Sequence, residues 1–472
     1  MKDNRRDFLK FTGLAGLGFA TGMVKGFANG TEKDSVSAQY EKFDDQQFNM
    51  SGYAAPKINT VRVGFIGLGQ RGPTHLKNMT KMDGVSIMGL CDIREDKVLE
   101  AKKLIQDSGH NATTYSGNKD EWRKLCDRKD IDLIYIATPW AMHVPMAVYA
   151  MEQGKHVAIE VPAAKTIDEC WQLVKTSERT RKHCMMLENC CYDFFELMTL
   201  NMARQGFFGD IIHTEGAYIH YLLDLNFKKD GYWDMWRLKE NIGRNGNLYP
   251  THGLGPVCQV MNINRGDKMD YLVSMSSIDN LMGKEAKELA AKDDFYKPFV
   301  NKPYRGNMNT TVIRTNKGRT IMIQHDVTTP NVYSRIHKIS GTKGSALKYP
   351  LPGRIATGHE EWLSEDEMKS LETKFQPAIV KKVGEMAKQV GGHGGMDFLM
   401  DWRLIDCLRN GLPLDQDVYD AALWSAIAPL SESSVAHRSS SVDVPDFTRG
   451  AWKQNKQVDI SLEEGGNTTV KI

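Results

Sequence analysis

The chain has 472 residues, of which 41% are hydrophobic and 25% are charged, as in an ordinary soluble globular protein. Because this length exceeds what one compact core supports, two domains are expected. The net charge of +2 gives no reason to expect nucleic acid or a membrane surface as a partner. The eight cysteines include no C-x-x-C pair, so they are predicted to be mostly buried core residues, and no metal site is predicted.

The N-terminus has the pattern of a targeting segment. A twin arginine, Arg5-Arg6, precedes Phe8-Leu9-Lys10, and a glycine-rich, weakly apolar stretch follows over residues 11–28. The pattern predicts a twin-arginine signal peptide over residues 1–30, a linker over residues 31–59, and a periplasmic or otherwise exported protein. No cysteine follows the apolar stretch, so no membrane anchor is expected. The alternative is a chance basic start of a disordered tail.

From residue 61, short apolar runs alternate with helical patterns. Strands are predicted at residues 61–67, 86–92, 132–139, 155–160 and 184–188. Helices are predicted at residues 73–82, 95–105, 120–126, 141–153 and 167–179. This alternation is typical of βαβ units, so residues 60–188 are predicted to form an α/β domain with a parallel, doubly wound sheet.

The pattern changes after about residue 190. The elements predicted there are a helix at 194–204, a strand at 211–221, a hairpin of 309–314 and 319–325, and a strand at 332–340. Long strands joined by hairpins favour an antiparallel sheet. Residues 189–472 are therefore predicted to be a substrate-binding α+β domain with a large, mostly antiparallel sheet. Residues 222–300 are rich in aromatic and polar residues, which is typical of a segment that lines a site.

A glycine-rich turn follows the first strand and has the spacing G-x-G-x-x-G. Its glycines permit a tight turn, close approach of a pyrophosphate and close packing of helix on strand. Asp92 lies 20 residues past Gly72 at the end of the next strand, where a carboxylate binds the adenosine ribose and disfavours NADP. A Rossmann domain that binds NAD is therefore predicted. Its first cofactor contacts are Gly67, Leu68, Gly69, Gln70, Arg71 and Asp92.

Further side chains follow the later strands, at the sheet edge where ligands of such domains bind. They are Thr138, Trp140, His143, Glu160, Val161 and Asn189. These residues are predicted to orient the nicotinamide half of the cofactor. The alternative for His143 is a histidine on a helix surface.

The run from Gly67 to Asp193 resembles the glucose-fructose oxidoreductase/inositol dehydrogenase superfamily, with G-x-G-x-x-G, an Asp, T-P-x-x-x-H and Glu-x-Pro. Most members carry E-K-P, whose lysine assists the redox chemistry. Val161 stands at that position here and argues against a simple alcohol dehydrogenase.

A narrower resemblance covers nearly all of the chain after residue 57. Residues 159–162, 185–189 and above all the block N-G-N-L-Y-P-T-H-G-L-G-P at 245–256 are similar to glycoside hydrolase family 109. Members of that family are NAD-dependent α-N-acetylgalactosaminidases. The resemblance implies that Tyr192, Tyr218 and Tyr333 contact the sugar, although Tyr218 and Tyr333 could equally be strand residues that face the core.

The residues of the 245–256 block agree with this reading. Tyr249, Thr251 and His252 lie in a segment flanked by glycine and proline, which is predicted to be a loop. The imidazole of His252 is suited to proton transfer, and the alternative is a histidine that caps a helix starting at Gly255.

Arg237 is the other predicted sugar-binding residue of this region. Its guanidinium could donate hydrogen bonds to sugar hydroxyls or to an acetamide oxygen, and Trp233 and Trp236 could supply an aromatic face for the pyranose ring. The alternative is that both tryptophans are core residues.

The resemblance implies a reaction in which the sugar is oxidised at C3 by NAD, the glycosidic oxygen is eliminated, water adds, and C3 is reduced again with retention. His252 and Tyr192 are predicted to be the acid/base groups, with their roles unassigned. The expected partner is the non-reducing end of a glycoside or glycan, and the sheet of the second domain offers a surface for a homo-oligomer. The alternatives are a periplasmic NAD(P)-dependent sugar oxidoreductase with tightly bound nucleotide, and a sugar-binding or sensory protein without chemistry.

Overall fold

The computed structural model describes residue 46 and residues 48–471. The predicted signal peptide and most of the predicted linker lie outside these residues, so the export of the protein stays a prediction. Residues 48–59 contain no helix or strand, and Met50 and Ala55 in this stretch are buried. None of the helices in the described part of the chain is long and apolar enough to cross a membrane.

The first part of the described chain folds around a six-stranded parallel sheet with the strand order β3-β2-β1-β4-β5-β6. The strands are β1 (Val61–Ile66), β2 (Val85–Cys91), β3 (Thr113–Tyr115), β4 (Leu133–Ile136), β5 (His156–Ile159) and β6 (Cys184–Met186). The helices are α1 (Gly72–Thr80), α2 (Glu95–Ile105), α3 (Glu121–Asp127), α4 (His143–Glu152) and α5 (Ile167–Thr180). Strands β4, β5 and β6 are buried along their whole length, which explains their continuous apolar sequence.

The second part contains an eight-stranded mixed sheet with the order β13-β12-β11-β7-β10-β9-β8-β14. The strands are β7 (Ile211–Ile219), β8 (Met269–Ser276), β9 (Asn309–Thr315), β10 (Thr320–Asp326), β11 (Lys338–Gly341), β12 (Ser345–Leu347), β13 (Arg354–Ala356) and β14 (Val442–Asp443). Strands β7 and β10 pair in parallel, and the other neighbours pair antiparallel. The sheet is therefore mostly antiparallel.

Nine α-helices of the described residues belong to this second part. They are α6 (Phe194–Arg204), α7 (Leu223–Phe227), α8 (Trp236–Glu240), α9 (Thr251–Val260), α10 (Met282–Ala290), α11 (Glu365–Phe375), α12 (Ala378–Val390), α13 (Met396–Asn410) and α14 (Val418–Ala436). Helices α13 and α14 are buried over most of their length and bring Trp402 and Trp424 into the core. Helix α14 packs against both α5 and β8 and so joins the two sheets.

The structure confirms the predicted fold class, with a Rossmann-type parallel sheet followed by an α+β domain with a mostly antiparallel sheet. All eight cysteines are buried and free, which confirms the prediction that most of them are buried core residues. The strand predicted at 332–340 is wrong over its first half: Ile336 and His337 have φ of 60° and 48°, which interrupts the extended chain, and β11 begins only at Lys338. The loop predicted around His252 is also wrong, because His252 lies in the first turn of α9.

The C-terminal end of the chain returns to the first domain. The Lys471 N–H donates to the Lys81 carbonyl (2.7 Å), and the Asp83 N–H donates to the Thr469 carbonyl (3.0 Å). The indole N–H of Trp402 on α13 donates to the Thr468 carbonyl (2.9 Å). The last residues therefore fasten the second domain to the loop that follows α1.

Candidate active site

The glycine-rich turn has the shape that a bound pyrophosphate requires. Gly67 has φ of +91°, and a Cβ there would lie 2.5 Å from the Ala137 carbonyl oxygen. A Cβ at Gly72 would lie 2.1 Å from the Gly67 carbonyl oxygen, whereas a Cβ at Gly69 would have no heavy atom within 4 Å. Helix α1 begins here without a side-chain cap or an acidic residue in its first turn. The open side of Gly69 and the N-terminus of α1 therefore fit an anionic phosphate.

Asp92 lies beside this turn at the end of β2. Its Oδ2 accepts a hydrogen bond from the Leu68 N–H (2.7 Å), and its Oδ1 accepts one from the Arg94 N–H (2.9 Å). The carboxylate is thus fixed next to the phosphate cradle, where the adenosine ribose of NAD would be bound. The residues present fit this cofactor.

Arg71 lies in the same turn but directs its guanidinium away from it. Its Nε lies 2.8 Å from Oε1 of Glu160, and its Nη1 lies 3.2 Å from Oδ2 of Asp397 on α13. Burial would raise the pKa of Glu160, but the charges of Arg71 and His75 hold it well below its ordinary value. The side chain of Arg71 therefore joins the two domains, and its contact with the cofactor stays a prediction.

His75 on α1 is the centre of this buried network. Its Nδ1 lies 2.8 Å from Oδ2 of Asp401, and its Nε2 lies 3.1 Å from Oε1 of Glu160. Although burial opposes charge, Asp401 and Glu160 raise the pKa of His75 to about 9. The Tyr135 hydroxyl donates to the other oxygen of Asp401 (2.8 Å). The network therefore connects α1, β4, the end of β5 and α13 next to the glycine-rich turn.

The loops that follow β4 and β5 are held by His143. It is fully buried, with Nδ1 2.8 Å from the Pro162 carbonyl oxygen and Nε2 2.8 Å from the Thr138 carbonyl oxygen. Both ring nitrogens are therefore occupied by backbone, and His143 orients the loops that carry Thr138 and Val161. Asn189 is likewise held from behind, because its amide donates to Asp397 (2.5 Å).

Trp140, Tyr218, Tyr232, Trp236, Tyr249 and His252 form a contiguous group, here called the aromatic cluster. Trp140 stacks on Tyr249 with ring centroids 5.7 Å apart, and Tyr249 contacts Tyr218 at 4.6 Å. His252 lies edge-on to Tyr249 at 5.0 Å and to Tyr218 at 5.2 Å. Trp140 follows β4, so the cluster continues the nucleotide cleft into the second domain.

Arg237 lies against this cluster without a carboxylate partner among the described residues. Its guanidinium carbon is 5.0 Å from the Tyr249 ring centroid and 5.7 Å from that of Trp140. Its Nη1 donates to the Tyr232 hydroxyl (3.0 Å). A guanidinium held by aromatic rings keeps several N–H donors for a ligand oxygen.

His252 has a buried carboxylate partner that was not among the predicted acid/base groups. Its Nδ1 lies 2.7 Å from Oε1 of Glu188, whose side chain is fully buried and follows β6. Helix α9 comes close to β7 because its third residue is Gly253, where a Cβ would lie 2.3 Å from the Ala217 N. This close approach brings His252 beside Tyr218. The position of Glu188 at a strand end was the available signal, but its pairing with His252 depends on the packing of α9.

Tyr218 forms a second polar pair, with His220 on the same strand end. Its hydroxyl lies 2.9 Å from His220 Nδ1. Burial, assisted by the charge of Arg237, lowers the pKa of His220 to about 4, so this imidazole is neutral at physiological pH. Burial raises the pKa of Tyr218, although the charge of Arg237 opposes this. Tyr333 packs edge-on against His220 at 5.0 Å and so lies at the rim of the same group.

Two of the residues predicted to bind the sugar, Tyr192 and Thr251, make none of the contacts described above for the aromatic cluster. The Tyr192 hydroxyl donates to Oδ2 of Asp415 (3.3 Å), which is ion-paired with Arg403, and burial raises the pKa of Tyr192 well above its ordinary value. Thr251 is fully buried, and its hydroxyl has no hydrogen-bond partner among the described residues. The predicted acid/base role of Tyr192 therefore stays a prediction.

Glu188, Cys190 and His252 offer three potential metal-ligand atoms within 4.8 Å of one another. Burial raises the pKa of the Cys190 thiol well above its ordinary value, and the side-chain hydrogen bond within the group joins Glu188 to His252. The group is better described as a carboxylate–imidazole pair.

A family model described as the C-terminal domain of glycosyl hydrolase 109 matches residues 192–454, more than half of the chain. A protein of Bacteroides fragilis strain YCH46, glycosyl hydrolase family 109 protein 1, is 50% identical over 434 residues, which cover 87% of this chain and 90% of that protein. The chain belongs to glycosyl hydrolase family 109. It is therefore a glycoside hydrolase.

This family 109 chain is also similar to a second Bacteroides fragilis protein and, in its fold, to NAD-binding oxidoreductases. A Bacteroides fragilis protein of strain ATCC 25285, named alpha-N-acetylgalactosaminidase, is 49% identical over 413 residues, covering 86% of this chain and 96% of its own. A model of an oxidoreductase family with an NAD-binding Rossmann fold matches residues 61–188. Levoglucosan dehydrogenase in complex with NADH has a TM-score of 0.61 and 18% identity, covering 82% of this chain and all of that chain. This last similarity shows the shared fold.

Proposed function

We propose that this family 109 enzyme hydrolyses terminal α-N-acetylgalactosaminides, with NAD as a resident cofactor and no net redox change. The continuity of the site carries the proposal. Trp140 follows β4 at the nicotinamide end of the predicted cofactor cleft and stacks on Tyr249, which contacts His252. A sugar bound at the aromatic cluster would therefore lie between the cofactor and the His252–Glu188 pair.

Arg237 and the aromatic rings supply the means of holding the sugar. The rings offer apolar faces that suit the C–H groups of a pyranose. Arg237 offers N–H donors and no carboxylate competes for them among the described residues, so an acetamide or hydroxyl oxygen of the substrate would be its partner. This combination suits the hydroxyl and acetamide oxygens of a 2-acetamido sugar.

The His252–Glu188 pair supplies proton transfer. Bound NAD would supply a reversible oxidation of the sugar at C3, which makes the neighbouring C2 proton acidic. Oε1 of Glu188 accepts a hydrogen bond from Nδ1–H of His252. The other ring nitrogen, Nε2, is therefore the atom left to exchange a proton with the substrate. The carboxylate fixes the tautomer and stabilises the imidazolium that forms during transfer. Tyr218 and Tyr249 both lie next to His252, with ring centroids at 5.2 Å and 5.0 Å, and each carries a hydroxyl for a second proton transfer.

A substrate panel tests the proposal. The purified protein is assayed without added NAD on p-nitrophenyl α- and β-glycosides, and release of p-nitrophenol from the α-N-acetylgalactosaminide with no accumulation of NADH is expected. Turnover in D2O should place deuterium at C2 of the released sugar, because a C2 proton is removed and returned. Release without deuterium at C2 would contradict the mechanism. Formation of a keto sugar from a free sugar would instead indicate a sugar oxidoreductase.

The role of Glu188 is tested by Glu188→Gln, which keeps the shape of the side chain and removes its charge. Loss of a charge-assisted hydrogen bond worth roughly 1.5–3 kcal/mol should lower kcat/KM by roughly 10–150-fold. His252→Ala should cost more, and the double variant should be no worse than His252→Ala, because the two residues act as one unit. Glu178→Gln is the matched control, since Glu178 is a buried glutamate paired with Arg449 outside the site. Additive losses in the double variant would show that the two residues act independently.

A further inference from the structure

A segment of the second domain, residues 231–237, reaches across to the nucleotide-binding turn and is here called the strap. The Gln70 amide of the glycine-rich turn donates to the Gly231 carbonyl oxygen. Two residues later, the Trp233 ring lies over the guanidinium of Arg94, 5.2 Å from ring centroid to carbon. The strap therefore contacts the Rossmann domain at two places, the glycine-rich turn and Arg94, which follows β2.

The position of Arg94 relates the strap to the cofactor. The Arg94 N–H donates to Oδ1 of Asp92, the carboxylate predicted to bind the adenosine ribose. Trp233 is 53% exposed although it is among the largest apolar side chains. A planar cation beside an exposed indole is the kind of surface on which a purine base stacks.

The strap is held in this position from behind. Lys229 just before it pairs with Asp293, and the Tyr296 hydroxyl donates to the Phe227 carbonyl oxygen (2.8 Å). Asp234 and Met235 have φ of 51° and 48°, a left-handed conformation that non-glycine residues adopt only where the surroundings impose it. The strap is therefore a built feature with a defined course.

The same segment also enters the sugar site. Tyr232 is buried in the aromatic cluster, and its hydroxyl accepts a hydrogen bond from Arg237. Tyr232 thus faces the sugar site, while the next residue, Trp233, faces the nucleotide. A displacement of the strap would disturb both ends of the active site.

We propose that Trp233 and Arg94 clamp the adenosine half of NAD and that the strap keeps the cofactor from dissociating between turnovers. This inference rests on the proposed NAD binding and adds the residues that retain the nucleotide. A reaction with no net redox change has no need to exchange its cofactor, so a closed site carries no penalty for turnover.

The test compares Trp233→Ala with Trp362→Ala in the full chain. Trp362 is a matched control, because it is 41% exposed and lies over Arg354 (5.4 Å) in the second domain. After exhaustive dialysis, nucleotide per chain is measured by acid extraction and chromatography, and its release rate is measured by dilution into excess unlabelled NAD. The unmodified protein and Trp362→Ala should retain NAD. Trp233→Ala should release it on the order of 10–100-fold faster and should regain activity when NAD is added.

Arg94→Gln provides a second variant that keeps the ring of Trp233 and removes the cation. It should also release NAD faster, and circular dichroism checks that each variant is folded. Equal release rates for Trp233→Ala, Trp362→Ala and the unmodified protein would overturn the role of the strap while leaving NAD binding intact. Failure of the unmodified protein to hold or bind NAD would instead overturn the proposed function.

Discussion

Replacement of His75 by Gln should change how the stability of the protein depends on pH. His75 is fully buried between Asp401 and Glu160, and its pKa in the folded protein is about 9. Arg71 also faces its Nε2 at 3.0 Å, and Tyr135 lies against its ring at 5.0 Å. Because the folded-state pKa lies above the unfolded value of about 6.5, protonation of His75 stabilises the folded state.

The size and direction of the effect follow from these two pKa values. The stabilisation is complete below pH 6.5 and is lost as the pH rises through about 9. Each tenfold difference in proton affinity corresponds to about 1.4 kcal/mol, so the protonated His75 contributes about 3 kcal/mol at pH 6 relative to pH 10. The Gln variant cannot bind this proton and should lack that part of the pH dependence.

Guanidinium unfolding followed by tryptophan fluorescence at several pH values between 6 and 10 measures the effect. The free energy of unfolding of the unmodified protein should fall more steeply with pH than that of His75→Gln, with most of the difference appearing between pH 7 and 9.5. His437→Gln is the matched control, since His437 is exposed and its imidazole lies 2.8 Å from the Ser433 carbonyl oxygen, with no carboxylate ion-paired to it among the described residues. Parallel curves for the unmodified protein and His75→Gln would refute the reasoning.

Two further comparisons test the site. Gly72→Ala should destabilise the protein by more than about 3 kcal/mol, because its Cβ would lie 2.1 Å from a backbone oxygen. Gly69→Ala should keep a free energy of unfolding within about 1 kcal/mol of that of the unmodified protein but should bind NAD more weakly. Thermal unfolding and nucleotide content distinguish the two variants. Tyr218→Phe should lower kcat/KM by about 10-fold or more, since it removes the hydroxyl of a ring that packs edge-on against His252. Tyr192→Phe should lower it less, because that hydroxyl contacts Asp415. A larger loss for Tyr192→Phe would restore Tyr192 as the acid/base partner.

Local signals in the sequence were enough to predict the nucleotide-binding domain. Strands β4 and β5 are buried on both faces and read as continuous apolar runs, and the turn carries glycines where a Cβ would clash. The short strand β3 was not predicted, because it is polar and largely exposed. Strand β8 was not predicted because its exposed positions carry Tyr271, Val273 and Met275, so no polar residues alternate with the buried ones.

The partners of the site residues could not be predicted in the same way. Arg71 stands where a phosphate contact is expected, yet Asp397, 326 residues later in the chain, determines where its guanidinium points. The pairing of Glu188 with His252 likewise arises only when α9 packs against the residues that follow β6. Such contacts are properties of tertiary packing and leave no periodic pattern in the chain.

The attachment of the C-terminal residues to the loop after α1 has a consequence for how the protein can be divided. A fragment ending at residue 188 would leave His75 and Asn78 without Asp401, and Asp83 without the Thr469 carbonyl. The nucleotide-binding domain, expressed alone, would therefore lack part of its hydrogen-bond network. It reaches its final form only after the ribosome has released almost the entire chain.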